Sequence, residues 1–196
     1  MKEERKAHRL FNQHIQPNLQ SLKNTAFRMT RDSQKAEDLL QETLFKAYKN
    51  FAQFSLNTNF RAWIFKIMVN TYITGYRKMN KQPQTLSYND LEEFYLYQKS
   101  ESPEDYITEN GDTISGEYFH DEVQEALNKL PYYFRLVVLL YDIEGFSYQE
   151  ISRIVNIPVG TVMSRLNRGR TLLRTKLQRY AKKKGYVHHS QPEYVV

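Results

Sequence analysis

One stretch near the middle of this 196-residue chain, residues 82–119, constrains the fold more than any other. It holds a single base, Lys99, against nine Asp and Glu, mixed with Ser, Asn, Gly and Pro. No period of 3.6 or of 2 is sustained along it, so neither a helix nor a strand is indicated. A structureless loop of that length does not belong inside one compact domain. The chain therefore reads as two small domains joined by an acidic linker. Both flanks carry the opposite sign: residues 1–81 have 15 Lys and Arg against 6 acids, and residues 120–196 have 12 against 7. The balance is +6 with a pI near 9.3, which favours anionic partners. Cysteine is absent, which excludes a disulfide scaffold, a thiol nucleophile, Cys-ligated zinc and an iron–sulfur cluster, and suits a reducing compartment. No apolar run reaches the roughly 18 residues of a membrane helix. The opening MKEERKAHRL lacks a signal peptide's apolar core. A cytoplasmic protein without membrane insertion is expected.

The first basic segment predicts a helical bundle. In AEDLLQETLFKAYKNF, residues Leu39, Leu40, Leu44, Phe45, Ala47 and Tyr48 recur at one, three and four positions and make one apolar stripe. Asp38, Gln41, Glu42, Lys46 and Lys49 are turned outward. Asp32 or Ser33 is placed to cap this helix. In NFRAWIFKIMVNTYITGYRK, the apolar positions are Trp63, Ile64, Ile67, Met68 and Ile73, and Arg61, Lys66, Asn70, Arg77 and Lys78 are basic or amidic. The loop FAQFSLNTNF between them is dense in Asn, Ser and Thr and flanked by Phe51, Phe54 and Phe60.

The second basic segment is more specific. Leu127, Leu130, Val137, Val138, Leu140 and Tyr141 predict one helix that Gly145 ends. In GFSYQEISRIVNIPVGTVMSRLNRGRTLLRTKL, Ser147 and Glu150 form a capping box and open a helix that buries Ile151, Ile154 and Val155. Pro158 stops that helix near Asn156, and a new one starts around Val159–Thr161 with Val162, Leu166 and Leu173 inward. A short helix, a tight turn and a longer basic helix make the helix-turn-helix pattern. From Arg165 to Lys184 there are nine Lys and Arg and no acid. Such one-sided charge suits a phosphate backbone, whereas a solvated face usually mixes both signs.

On pattern alone each feature also has a plainer reading. Capped helix pairs occur in many helical proteins, the aromatic residues around Trp63 read as core, and the acidic stretch reads as a solvated spacer. His8, His14, His120, His188 and His189 show no metal-ligand spacing, and no phosphate loop, nucleophile–base set or paired carboxylates are found. No metal, cofactor or enzymatic activity of its own is expected.

In order along the chain come D-x-x-Q-E from Asp38, W-x-x-x-I-x-x-N from Trp63 to Asn70, L-P at Leu130, G-x-S-Y-x-E-I, and G-T-V-x-S-R-L-x-R-G-R. The ordered set resembles the sigma-70 family of RNA polymerase initiation factors, in its small extracytoplasmic-function (ECF) group, over roughly residues 20–80 and 122–178. That resemblance implies an all-α protein of two helical domains: residues 1–81 a region 2-like bundle for core polymerase and −10 DNA, 82–119 the acidic flexible linker, 120–184 a region 4-like helix-turn-helix domain for −35 DNA, and 185–196 a tail. It implies promoter-directed initiation in a stress response. Core RNA polymerase would be met at its largest-subunit coiled coil and its flap, and an anti-sigma factor, of the zinc-containing and redox-sensing kind, is an implied partner. Carried over by motif, Asp38, Gln41 and Glu42 bind the polymerase. Phe54, Ser55, Asn57, Asn59, Trp63, Lys66, Asn70, Thr74, Arg77 and Lys78 bind the −10 strand. Met163, Ser164, Arg165, Asn167, Arg168, Thr171 and Arg174 bind the −35 element, Asn and Arg being suited to adenine and guanine edges. The linker would run through the polymerase cleft, imitating nucleic acid. The alternatives are a helix-turn-helix regulator of the response-regulator type that acts without polymerase, which leaves residues 1–81 unexplained, and a structural nucleic-acid-binding protein.

Overall fold

The computed structural model describes residues 2–55, 58–80 and 121–186, and among these all regular structure is helical. The helices are α1 (Lys2–Ile15), α2 (Leu19–Thr30), α3 (Ser33–Asn50), α4 (Phe60–Asn80), α5 (Asp121–Asn128), α6 (Tyr132–Val138), α7 (Tyr148–Val155) and α8 (Val159–Lys183). The described residues up to 75 and those from 121 to 186 form one compact unit. The acidic linker lies outside the described residues, as do Asn57 and the end of the tail. No described helix is long and apolar enough to cross a membrane.

In the first half, Asp32 is extended (φ −145°) and its carboxylate accepts the Lys35 N–H at 2.8 Å, capping α3 as expected. The buried stripe of α3 is made of small residues, Ala36, Thr43 and Ala47, with Leu39. Small side chains let α2 and α3 approach closely. The Thr43 hydroxyl is satisfied by donating to the Leu39 carbonyl at 2.7 Å. This corrects the stripe predicted for α3: Phe45 is 67% exposed and Tyr48 46%. Phe45 shares the face of Asp38, Gln41 and Glu42, because steps of three and four residues return to one side of a helix. Counting apolar residues alone favoured the bulky side chains over the alanines that the packing uses.

The single helix predicted to end at Gly145 is broken. Asn128 ends the first piece, Pro131 (φ −50°) caps the start of α6, and Leu139–Ile143 winds into a wider π turn before Gly145 at φ +70°. Proline lacks the N–H that would continue α5. The helix-turn-helix forms as predicted. Ser147 and Glu150 make both capping-box bonds, Asn156 closes α7 at φ +58°, and α8 starts after Pro158. Within α8, a Cβ added to Gly169 would lie 2.8 Å from Val138 Cγ2 and 3.4 Å from Phe134 Cβ. That glycine is what lets α8 lie against α6.

The core is continuous between the two halves. Phe65 of α4 meets Phe146 edge-on at 5.0 Å, both fully or nearly buried. Arg135, itself buried, donates to the Met29 carbonyl at 3.0 Å and to the Tyr72 hydroxyl at 3.3 Å. Its guanidinium closes off the end of α2, whose last carbonyls have no partner within their own helix.

Candidate nucleic-acid and polymerase interface

Three surfaces carry the residues singled out by sequence. On α3, Asp38, Gln41 and Glu42 are all exposed. They are held by ladder contacts one turn apart: Gln34 to Asp38 at 3.3 Å, Gln41 to Glu37 at 3.2 Å, and Lys46 to Glu42 at 2.7 Å. Phe45 stands among them, an exposed aromatic ring within a polar face.

The second surface precedes and follows the start of α4. Phe54 is buried, packed against Phe60 at 5.3 Å and Trp63 at 5.0 Å, in an aromatic cluster that also holds Phe51, Phe11 and His14. The Ser55 carbonyl accepts both the N–H and the hydroxyl of Thr58, at 2.9 and 2.7 Å, which closes the turn. Asn59 is committed twice. Its side-chain oxygen accepts the Ala62 N–H at 3.1 Å, capping α4, and its amide donates to Glu150 of α7 at 2.9 Å. Further along α4, Lys66, Asn70 and Thr74 are exposed at steps of four and so form one polar stripe. Arg77 and Lys78 follow on the same helix; their side chains lie outside the described residues.

The third surface is α8. Met163, Ser164, Asn167, Thr171 and Arg174 are exposed and Arg168 is half-buried. Arg165 is 5% exposed, its guanidinium 5.5 Å above the Tyr133 ring, so its charge faces the body of the protein. Arg170 is paired with Asp142 and lies 5.0 Å over the Tyr141 ring. That bond with Asp142 raises the Arg170 pKa. Glu150, which bonds the Ser147 N–H, has its pKa lowered by that bond first, and further by the Ser147 hydroxyl and Asn59.

A model of sigma-70 region 2 matches residues 14–82, and one of sigma-70 region 4 matches residues 120–173. The chain is 36% identical over 155 residues to the ECF RNA polymerase sigma factor SigW of Bacillus subtilis, covering 78% of this chain and 80% of that one. The chain belongs to the ECF RNA polymerase sigma factors. It is also 33% identical over 153 residues to the sigma factor EcfG of Rhodopseudomonas palustris, covering 78% and 77% of the two chains. Among solved structures, it matches the sigma factor RpoE of Bartonella quintana, crystallised with the anti-sigma factor NepR, at TM-score 0.66 and 27% identity, over 86% of this chain and 96% of that one.

In this ECF sigma factor the α3 residues and most of the α8 residues are each brought to one exposed face of a single helix, but Arg165, assigned to DNA by its motif, is instead buried over Tyr133. The residues around the α4 start are not: Phe54 is turned inward and Asn59 is drawn to α7, while Lys66, Asn70 and Thr74 stand on a separate exposed stripe. Sequence reasoning missed Phe45 as a surface residue. The signal for it was present, since Ala36, Leu39, Thr43 and Ala47 also sit at steps of three and four and leave Phe45 on the far side. It also missed Glu144 and Arg61, whose contacts join residues far apart in the chain.

Proposed function

We propose that this ECF sigma factor binds core RNA polymerase through α3 and directs initiation by reading −10 and −35 promoter elements with its two halves. The observation that carries the reading is the ordered pair of family matches, region 2 before region 4, laid on a structure whose α8 presents an exposed face with Asn and Arg and no acid. Residues 1–81 act as the polymerase and −10 domain, 120–184 as the −35 domain, 82–119 as the acidic connection through the polymerase, and 185–196 as a tail. At the polymerase, Asp38, Gln41 and Glu42 supply polar contacts to the coiled coil of the largest subunit, and exposed Phe45 adds apolar area in their midst. On the −35 duplex, Asn167 and Arg168 read base edges, Met163, Ser164 and Thr171 line the same face, and Arg174 serves the backbone, while Arg165 supports the helix from within over Tyr133.

On the −10 strand, Lys66, Arg77 and Lys78 hold phosphates, while Asn70, Thr74, Ser55, Asn57 and Asn59 receive an unstacked base against the ring of Trp63, which buried Phe54 backs from the aromatic cluster. An anti-sigma factor is the regulator of the activity, as the neighbour RpoE crystallised with NepR suggests. The working role is a stress response in the cytoplasm, and the factor initiates without catalysing a reaction itself.

Reconstituted transcription tests the reading. Core polymerase with this chain should initiate at a promoter bearing both elements and lose initiation when either element is scrambled. A helix-turn-helix regulator that acts apart from polymerase would bind the duplex yet add no initiation to the core enzyme. Asn70→Ala should impair opening of a duplex promoter far more than use of a pre-melted one; equal losses on both would remove Asn70 from base capture.

A further inference from the structure

The first helix carries a charge pattern that none of the motifs accounts for. α1 lies almost wholly ahead of residues 14–82, the span that the region 2 model matches. Phe11 and Ile15 turn inward from it and are buried. To either side of Phe11 the two edges of the helix face different neighbours. On one edge His14 stacks on Phe60 at 5.1 Å and meets Phe54 at 6.1 Å, within the cluster that backs Trp63. On the other edge His8 meets Tyr48 of α3 edge-on at 5.9 Å, and the Asn12 amide bonds His8 Nδ1 at 3.3 Å. An open groove of about 710 Å³ runs along this second edge. Arg5, His8, Arg9 and Asn12 line it from α1, together with two glutamine amides, and Tyr48 lines it from α3. Arg5, His8 and Arg9 are exposed, and the lining holds no carboxylate.

Arg5 and Arg9 stand one turn apart, where like charges repel and weaken a helix. An anion bound between them removes that repulsion, and each guanidinium presents a planar fork of donors that matches a carboxylate. The groove is also continuous with the face of α3 assigned above to the polymerase. Tyr48, 46% exposed, lies three residues beyond Phe45 and seven beyond Gln41, steps that return to one side of a helix. Along that surface the sign of charge changes: Glu37, Asp38 and Glu42 are exposed on α3, and across Tyr48 the α1 wall is basic. Trp63 lies past the other edge of α1, beyond Phe51, Phe54 and Phe60. An acidic polypeptide that docks together with the polymerase therefore fits the groove better than the −10 strand does.

Resting on the proposed sigma function, we propose that the groove between α1 and Tyr48 binds an acidic segment of core RNA polymerase, with Arg5 and Arg9 taking its carboxylates, beside the coiled coil met by α3. The acidic face of α3 and the basic wall of α1 then set the direction in which the chain docks, because turning it end for end brings like charges together. Charges at the rim of an interface act mainly on the rate of encounter and on its dependence on salt. The rate is therefore the quantity to measure.

Association of the full chain with core polymerase is followed over a series of salt concentrations. The double variant Arg5→Gln, Arg9→Gln should associate about tenfold more slowly at low salt, and the difference should shrink as salt approaches about 1 M. Arg9→Glu should be slowed further than Arg9→Gln, and Arg9→Lys should keep the wild-type rate. Helical circular dichroism and binding of the free chain to a −35 duplex should stay unchanged in every variant. Arg9→Lys also supplies an amine, so carbodiimide treatment of its complex should join residue 9 to an Asp or Glu of the polymerase, located by mass spectrometry of the peptides. Wild-type rates for both the double variant and Arg9→Glu would overturn the groove, as would coupling of residue 9 to carboxylates of this chain alone. A single-stranded −10 oligonucleotide is the second probe: if the double variant loses it while polymerase association is unchanged, the groove belongs to DNA and the proposal falls. A wild-type chain that never associates with core polymerase would overturn the sigma reading itself.

Discussion

On α8 most of the side chains proposed to touch duplex DNA, Met163, Ser164, Asn167, Thr171 and Arg174, lie along one exposed helix face, with Arg168 half-buried beside them and Arg165 turned into the body. Around the start of α4 the residues of similar chemistry are drawn inward or committed: Phe54 is buried in an aromatic cluster and Asn59 both caps its helix and bonds Glu150. A surface written on a single helix is complete as soon as that helix folds. A surface assembled from a turn and a helix start depends on what packs beside it, here the aromatic cluster of the same half around Phe54 and, for Asn59, Glu150 of the other half. The proposed −35 face is therefore exposed as the helix stands, whereas in the proposed −10 surface Phe54 is buried and Asn59 is engaged by Glu150.

The largest effect tests whether the two regions share one core. Phe65→Ala removes a fully buried ring that packs on Phe146 and should cost about 3–5 kcal/mol. Urea unfolding followed by probes in each half should shift together. If only the N-terminal probe moves, the halves are energetically separate.

The next tests the ready surface directly. Asn167→Ala and Arg168→Ala should each remove about 1–3 kcal/mol of discrimination between cognate and scrambled −35 duplexes. Arg174→Ala should weaken both duplexes alike and lower the salt slope by about one unit. Loss of equal size on both duplexes for Arg168→Ala removes it from base reading.

The support beneath α8 gives a smaller effect. Gly169→Ala places a methyl 2.8 Å from Val138 Cγ2 in a buried, β-branched neighbour. An overpacking cost of roughly 1–3 kcal/mol exceeds the helix preference of alanine, near 1 kcal/mol. The melting temperature should fall, and −35 affinity with it. Gly160→Ala, where nothing lies within 4 Å, should be neutral or stabilising; a fall of equal size there would assign the loss to helix geometry rather than to the contact.

Smaller still is the junction between the two regions. Ser147→Ala removes the cap of α7 and should cost about 1 kcal/mol. Glu150, held below its ordinary value of 4.5 by the Ser147 N–H first and by Asn59 in part, stabilises the fold above that value. Its contribution is lost as pH falls through the lower, folded value. Glu150→Gln should flatten this acid-side loss in a pH series of melting curves, and an unchanged slope would show that the bonds to Ser147 and Asn59 do not favour the ionised form. The smallest stability change, within about 0.5 kcal/mol, is expected for Asp38→Arg on exposed α3, although binding to core polymerase should drop sharply. Unchanged affinity in a competition assay would move the docking surface elsewhere.

Local signals in the sequence determined the helices and their ends. The Asp32 cap, the Ser147–Glu150 box, the stop at Asn156 before Pro158 and the one-sided charge of α8 each depend on residues within one or two turns, where backbone hydrogen bonding and side-chain spacing leave little choice. The ordered motifs likewise determined the family. Tertiary structure decided the rest. Which face of α3 is buried depended on how closely α2 approaches, so alanines rather than Phe45 and Tyr48 went inward. The break at Pro131 and the π turn aim Asp142 and Glu144 in different directions. The pairing of Glu144 with Ser21, Thr25 and Arg61 joins residues between 83 and 123 positions apart. No periodicity records such a pairing, because its energy comes from removing a carboxylate from water only where three donors have already been gathered by the packing of other helices.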